Sequence, residues 1–471
     1  EAEALPVRTQ TLYLRYGKTH YHVFPFCCDG FRTEIAGNQI QIGSGCSMSA
    51  ALCGTVLGIA AADDPFAAVD KNLNALRHAD VIKVPLRDEK KYPTMFEGFG
   101  WCTWDAFYQN VTSKGIYEKL EELKSKNIQI DWMIIDDGWQ QFSDMKLTAL
   151  EADPAKFPEG LGGAIRRIKE EYGVKYVGVW HTLQSYWFGI HPDSELCRTM
   201  QNCFVTTPSG CILPDFRSAD SFFKFWDVWY KMLKNEGVDF VKVDNQSSMT
   251  FRVEGMMDNT LAIRNCHEGL ERAVNLYFDG NIINCMGTNT VDLLTRPGSI
   301  INRSSDDFFP RRPDSFITHL YGNGYISPLH SQFHIADFDM WWSGAAGAKQ
   351  SAVLRAISGG PVYVSDEVGK TDATYIRPFF DHDGRLLRCE QTAAITLDCF
   401  YTDCLQEKRP FKMFNRCGEN FVVAAFGLSK EISEGALRLD NIPGASGEYV
   451  ATEYFSGDTF LLDEHSELPV R

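Results

Sequence analysis

Eight short apolar runs separated by helical stretches constrain this chain more than any other feature. They read GFGWCTW (98–104), DWMIIDD (131–137), KYVGVWH (175–181), DFVKVDN (239–245), NIINCMG (281–287), SIINRSS (299–305), GYISPLH (324–330) and GPVYVSD (360–366). Between them lie stretches such as SKGIYEKLEELKSKN and SFFKFWDVWYKMLKNEG, and in the first Ile116, Leu120 and Leu123 recur at i, i+4 and i+7, an amphipathic stripe. Eight near-continuous apolar strands alternating with helices over about 270 residues predict an α/β chain built on a (β/α)8 barrel. An open doubly wound sheet would carry a G-x-G-x-x-G turn after an early strand, and the sequence has none.

The flanks have a different texture. Residues 1–92 alternate apolar and polar with turn signals, as in TLYLRYGKTHYHVFPF and NQIQIGSG, and predict a β-rich N-terminal segment. The barrel is expected over 93–398, and short strands return over 399–471 as a small C-terminal β domain. The opening Glu-Ala-Glu-Ala lacks a Met and is left out of the fold reasoning.

Composition narrows the function. With 44% hydrophobic and 23% charged residues the chain is an ordinary globular one, not a disordered one. A net charge of −16 gives no electrostatic footprint for nucleic acid or an anionic membrane, and a neutral small molecule fits better. The longest weakly apolar run, Ala50 to Ala62, falls short of the ~18–20 residues that span a bilayer. Fourteen cysteines without a C-x-x-C pair read as buried thiols in a cytoplasmic protein, and of three N-x-S/T sequons (Asn110, Asn245, Asn302) two lie in apolar strand patterns. Self-association into a homo-oligomer is left open.

In a barrel the chemistry sits at the carboxyl ends of the strands. Those ends carry Trp104–Asp105, Asp136–Asp137, Trp180–His181, Lys242–Val243–Asp244, Cys285, Arg303 with Asp306–Asp307, His330 and Asp366. Any one could cap the next helix, most readily Asp366 and His330. Lys242 and Asp244 are more specific, since residues i and i+2 of a strand share a face and a lysine there keeps a carboxylate ionised. An ionised carboxylate can attack an anomeric carbon, and a second, protonated by burial near another acid, can serve a leaving oxygen. Asp306 and Asp307 can supply that acid, and paired carboxylates among aromatic residues have the make-up of a glycosidase site. His330 and His334 have metal-ligand spacing without a third ligand, so no metal and no cofactor is expected.

The motifs GWCTWDAFY (100–108), IIDDGWQ (134–140), VKVDNQ (241–246), RSSDDFFP (303–310) and GGPVYVSDEVG (359–369) resemble the raffinose synthase and alkaline α-galactosidase (seed imbibition protein) family, within glycoside hydrolase family 36 and the α-galactosidase clan. The match runs in order over roughly residues 95–405. The resemblance implies a (β/α)8 barrel flanked by β domains and a double displacement that retains the α configuration. It implies Asp244 as nucleophile and, from an Arg-x-x-x-Asp pattern, Asp307 as acid/base with Arg303 near the sugar 2-position and Asp306 beside them. Asp136 and Asp137 resemble the pair that binds the axial 4-hydroxyl and the 6-hydroxyl of galactose. Lys242 corresponds to a binder of ring hydroxyls, Trp101, Trp104 and Trp180 to pocket walls, and Cys285 to a residue lining the 2-substituent.

The segment ahead of the barrel, about 90 residues, is shorter than the family's N-terminal domain. That favours an exo-acting α-galactosidase, acting on small α-galactosides, over a synthase. The alternatives are a galactosyltransferase of the raffinose synthase kind, an enzyme for α-N-acetylgalactosaminides or galactosaminides, and a carbohydrate-binding protein without catalysis, against which the intact carboxylates argue.

Overall fold

In the computed structural model, which describes residues 5–28, 30–46, 53–312 and 314–471, eight parallel strands form a single curled sheet. In chain order they are β1 (Phe99–Cys102), β2 (Trp132–Ile135), β3 (Tyr176–Thr182), β4 (Phe240–Asp244), β5 (Ile282–Asn284), β6 (Ile301–Arg303), β7 (Ile335–Asp337) and β8 (Val362–Val364). Each pairs with its sequence neighbour up to β7, β8 pairs with β1, and a parallel bridge between Trp341, just past β7, and Val364 brings the ends together. This is the (β/α)8 barrel. Buried side chains on both faces of every strand explain the continuous apolar runs.

The helices α1 (Ser113–Ser125), α2 (Gly160–Tyr172), α3 (Ala219–Asn235), α4 (Asn259–Phe278), α5 (Thr290–Thr295), α6 (Ser315–His330) and α7 (Ala348–Ser358) follow β1 to β7 in turn. Their limits follow from capping. Thr112 Oγ1 accepts from the Gly115 amide at 3.1 Å at the start of α1, and Ser218 accepts from the Ser221 amide at 3.1 Å at the start of α3. Phe222, Phe225, Trp226, Trp229, Tyr230 and Leu233 form the buried stripe of α3.

One expected strand is not a strand. GYISPLH lies in α6, and the seventh strand is Ile335–Asp337. A short apolar run bounded by glycines does not distinguish a strand from a buried helix. Pro328 should weaken the helix, because it cannot donate to the Gly324 carbonyl, but the Ser327 hydroxyl donates there instead at 2.9 Å. At Gly324 the C-terminal sheet packs close against this helix. A Cβ on it would lie 2.8 Å from both Ile395 and Phe411.

The floor of the barrel is aromatic. Phe96 packs edge-on against Trp132 and Phe240 with centroids 5.1 and 5.0 Å away, and Trp132 meets Tyr363 at 5.1 Å. Ahead of the barrel are two three-stranded antiparallel sheets, one of Leu12–Tyr16, Thr19–Pro25 and Leu57–Ala62, the other of Cys27–Cys28, Phe31–Ala36 and Gln39–Gly43. After it, Ala394–Ile395, Phe411–Cys417 and Asn420–Phe426 form a third, followed by two strand pairs. Tyr13 against Phe400 (5.1 Å) and Phe66 against Phe414 (6.1 Å) join the two ends of the chain. Among the described residues no two cysteines are joined by a disulfide. No helix among the described residues is long and apolar enough to cross a membrane.

Candidate active site

Register decides which side chains look into the barrel. Trp180 lies opposite Lys242, Thr182 opposite Asp244, Arg303 opposite Asp337 and Gly100 opposite Tyr363. Because neighbours in register share a face, Cys102, Trp180, Lys242, Asp244, Arg303 and Asp337 point inward. Trp101, one residue out of phase, points to the helix layer, where its ring stands edge-on to Phe107 at 6.3 Å. It is therefore not a wall of the cavity, a correction that follows from the strand's two-residue period.

Lys242 is the centre of the cluster. Its ammonium donates to Asp136 Oδ2 at 2.8 Å, both side chains being 3% exposed, and the Cys102 thiol donates to the same oxygen at 3.2 Å. The direct partner of the lysine is thus Asp136 and not Asp244, which lies on the lysine's own strand. Burial lowers the lysine's pKa, but the carboxylates of Asp136 first and Asp244 after it outweigh burial and hold it well above the ordinary value.

Asp137 points the other way. Its oxygens accept from the Tyr186 hydroxyl at 2.6 Å, the Trp187 indole at 2.9 Å and the Gln109 amide at 2.9 Å, while burial pushes its pKa up. The next residue must be glycine. Gly138 has φ +107°, and a Cβ there would lie 2.5 Å from the Gln109 backbone. Lys156 ties the two segments by donating to the carbonyls of Gln109 and Gly138, each at 2.7 Å.

Asp244 ends β4. Its Oδ2 accepts from the Trp180 indole at 3.0 Å and its Oδ1 from the Asn245 amide at 2.6 Å, made possible by the left-handed Asn245 (φ +57°). Burial would raise its pKa, but Arg303 first, then Lys242, then hydrogen bonds from Cys285 and Trp180 bring it below the usual carboxylate value. Cys285 is fully buried and hydrogen-bonds Asp244.

Arg303 also pairs with Asp307, four residues along the chain across a bend. The setting of Asp307 is the reverse of that of Asp244. Burial raises its pKa, Arg303 opposes this, and Asp339 and Asp244 add to the rise. Its neighbour Asp306 is exposed, and its Oδ1 accepts the Asp307 amide at 2.9 Å. Of the adjacent pair, only Asp307 reaches the cluster's guanidinium.

Trp104 is at the rim, half-buried and edge-on to Tyr108 at 5.0 Å. Other strand-end residues are structural. His181 stacks on Trp226 at 4.6 Å, and Asp366 accepts from the Ser343 amide and hydroxyl, both at 2.6 Å. His330 ends α6, and His334 accepts from the buried Arg296 at 3.1 Å. Sequence reasoning missed Asp337 and Asp339. With the seventh strand misplaced, the alternation in Asp337-Phe338-Asp339 was not seen as a strand end.

The sequence profile described as raffinose synthase or seed imbibition protein Sip1 matches residues 21–156 and 152–428. The Arabidopsis thaliana protein named "Probable galactinol–sucrose galactosyltransferase 1" is 32% identical over 398 residues, covering 74% of this chain and 52% of that one. The galactinol–sucrose galactosyltransferase of Oryza sativa subsp. japonica is 29% identical over 456 residues, covering 86% of this chain and 58% of that one. This chain thus spans about half the length of the curated relatives it matches. The α-galactosidase from Lactobacillus brevis superposes with a TM-score of 0.60 at 11% identity, over 99% of this chain and 68% of that one. TtGalA, the Thermus thermophilus α-galactosidase in complex with stachyose, gives 0.55 at 14% identity, over 79% and 78%. At such identities these structures speak for the fold. With more than half its length matched by the profile, this chain belongs to the raffinose synthase and seed imbibition protein family.

Proposed function

We propose that the chain cleaves terminal α-galactosides by double displacement. The Asp244 carboxylate forms a bond to the anomeric carbon as the glycosidic bond breaks, and Asp307 gives its proton to the departing oxygen. Asp307, now a base, takes a proton from the acceptor hydroxyl as that oxygen displaces Asp244, and two inversions leave the α configuration. Asp136, Asp137 and Lys242 hold the galactose hydroxyls, and Trp180 and Cys285 border its ring. The observation that carries this reading is that Asp244 is buried and held by the Trp180 indole and the Asn245 amide, while Asp307 pairs with Arg303 at the open side of the same cluster; in keeping with this, Asp244 is lowered and Asp307 raised. That is the division of labour a nucleophile and an acid/base require.

Water as acceptor makes the chain a retaining α-galactosidase. A second reading, transfer to a sugar hydroxyl, is favoured by the names of the relatives. Incubation with p-nitrophenyl α-galactoside, with and without sucrose, separates the two. Free galactose in both arms supports hydrolysis, and a galactosyl-sucrose supports transfer. Release of nitrophenol only from the N-acetylgalactosaminide counterpart would refute the galactoside assignment.

A further inference from the structure

Asp339 stands two residues past β7 with a left-handed backbone, φ +66°, a conformation that Asp and Asn adopt more readily than most side chains but still at a cost. Its amide donates to Asp337 Oδ1 at 2.9 Å, and its carbonyl accepts from Arg355 Nε at 3.2 Å. Its own Oδ2 accepts the amide of Phe308, the residue after Asp307, at 2.8 Å. The other oxygen, Oδ1, is buried without a partner, as is Nε of Arg303. A strained, buried carboxylate has therefore been kept with one oxygen on the backbone that presents Asp307.

The charged groups around Asp307 come from several strand ends. Arg303 of β6 and Lys242 of β4 draw its proton away, and Asp339 and Asp244 oppose them. Asp105, after β1, and Cys285, after β5, also feel Asp307. Arg355, which contacts the Asp339 carbonyl, lies over the Phe308 ring at 4.7 Å. Among the carboxylates, Asp339 acts most strongly on Asp307.

We propose that Asp339 is a positioning residue for Asp307, fixing the turn that presents this carboxyl and supplying the negative charge that offsets Arg303. The proposal rests on the reading of Asp307 as acid/base. Asp339→Asn keeps an acceptor for the Phe308 amide and tolerates the left-handed backbone, but removes the charge. Without that charge Asp307 loses its proton at lower pH.

The measurement is kcat/KM against pH for methyl α-galactoside, which needs protonation of its leaving group, beside p-nitrophenyl α-galactoside, which needs little. In Asp339→Asn the alkaline limb for the methyl galactoside moves to lower pH by about one unit, a roughly tenfold loss above it, while the aryl substrate changes less than about threefold. Asp339→Glu keeps the charge and displaces the contact, so its limb stays at the wild-type pH while kcat falls. In an Asp307→Asn background, Asp339→Asn moves no limb. A limb unmoved in a folded Asp339→Asn, or moved equally by both Asp339 variants, overturns the proposal. Methyl galactoside cleavage left intact by Asp307→Asn alone would instead overturn the acid/base reading, and the proposal with it.

Discussion

The two sides of the barrel mouth are built differently. On the β2–β4 side, Asp136, Asp137 and Asp244 each have two or more partners within the protein, Lys242 is held by Asp136, and all four are almost wholly buried. On the β6–β7 side, the Asp307 side chain is 36% exposed, Arg303 and Asp339 each keep a buried polar atom without a partner, and Asp339 holds a strained backbone. The first arrangement suits groups that must hold hydroxyls and a nucleophile in a fixed geometry, because prearranged dipoles need no reorganisation. The second suits a group that must gain and lose a proton, because burial and opposed charges leave its two states close in energy.

The comparison can be broken most severely at Asp244. Asp244→Ala should lower kcat by about 10⁴-fold or more while the chain still folds cooperatively, since it removes the bond-forming group and little packing. Wild-type turnover would place the nucleophile elsewhere. Asp307→Ala should cost about 10²–10⁴-fold on alkyl galactosides and much less on aryl ones. Azide should restore its turnover and give an α-galactosyl azide, and a β-azide would contradict the double displacement.

The β2–β4 side should yield first in stability. Lys242→Met strands the buried Asp136 charge and should cost about 3–5 kcal/mol in urea unfolding, and Asp136→Asn in the same chain should recover part of it. A loss under about 1 kcal/mol would mean that the pair is solvated. A further effect is a pH dependence at Asp105, which follows β1 and accepts from the Ser365 hydroxyl after β8, and whose carboxyl burial pushes up to about 8. A raised carboxyl stabilises the fold below its unfolded value near 3.8, and that contribution is lost as pH rises through about 8. Asp105→Asn should therefore flatten the decline in Tm between pH 4 and 8. A decline as steep as in the wild type would show that Asp105 ionises freely.

The site residues that sequence made legible are those fixed by local spacing. Lys242 and Asp244 share a face because the strand period is two, and Arg303 reaches Asp307 because they lie four residues apart in a tight turn. Trp101 failed the same test, since a motif names a residue without saying which way its strand presents it. Residue chemistry alone left Asp306 and Asp307 open and only the family's Arg-x-x-x-Asp pattern favoured Asp307, because exposure of the first and partial burial of the second depend on the packing around them.

By itself the sequence determined the alternation of strands and helices, the family motifs and the acidic strand ends, since each is written in contiguous residues and their periodicity. Tertiary structure alone decided that residues 324–330 are helical, that Lys242 pairs with Asp136 across 106 positions, and that Asp339 reaches the Phe308 amide. Such contacts exist only once the sheet has closed, because closure chooses each side chain's neighbours and removes the water that would otherwise screen their charges.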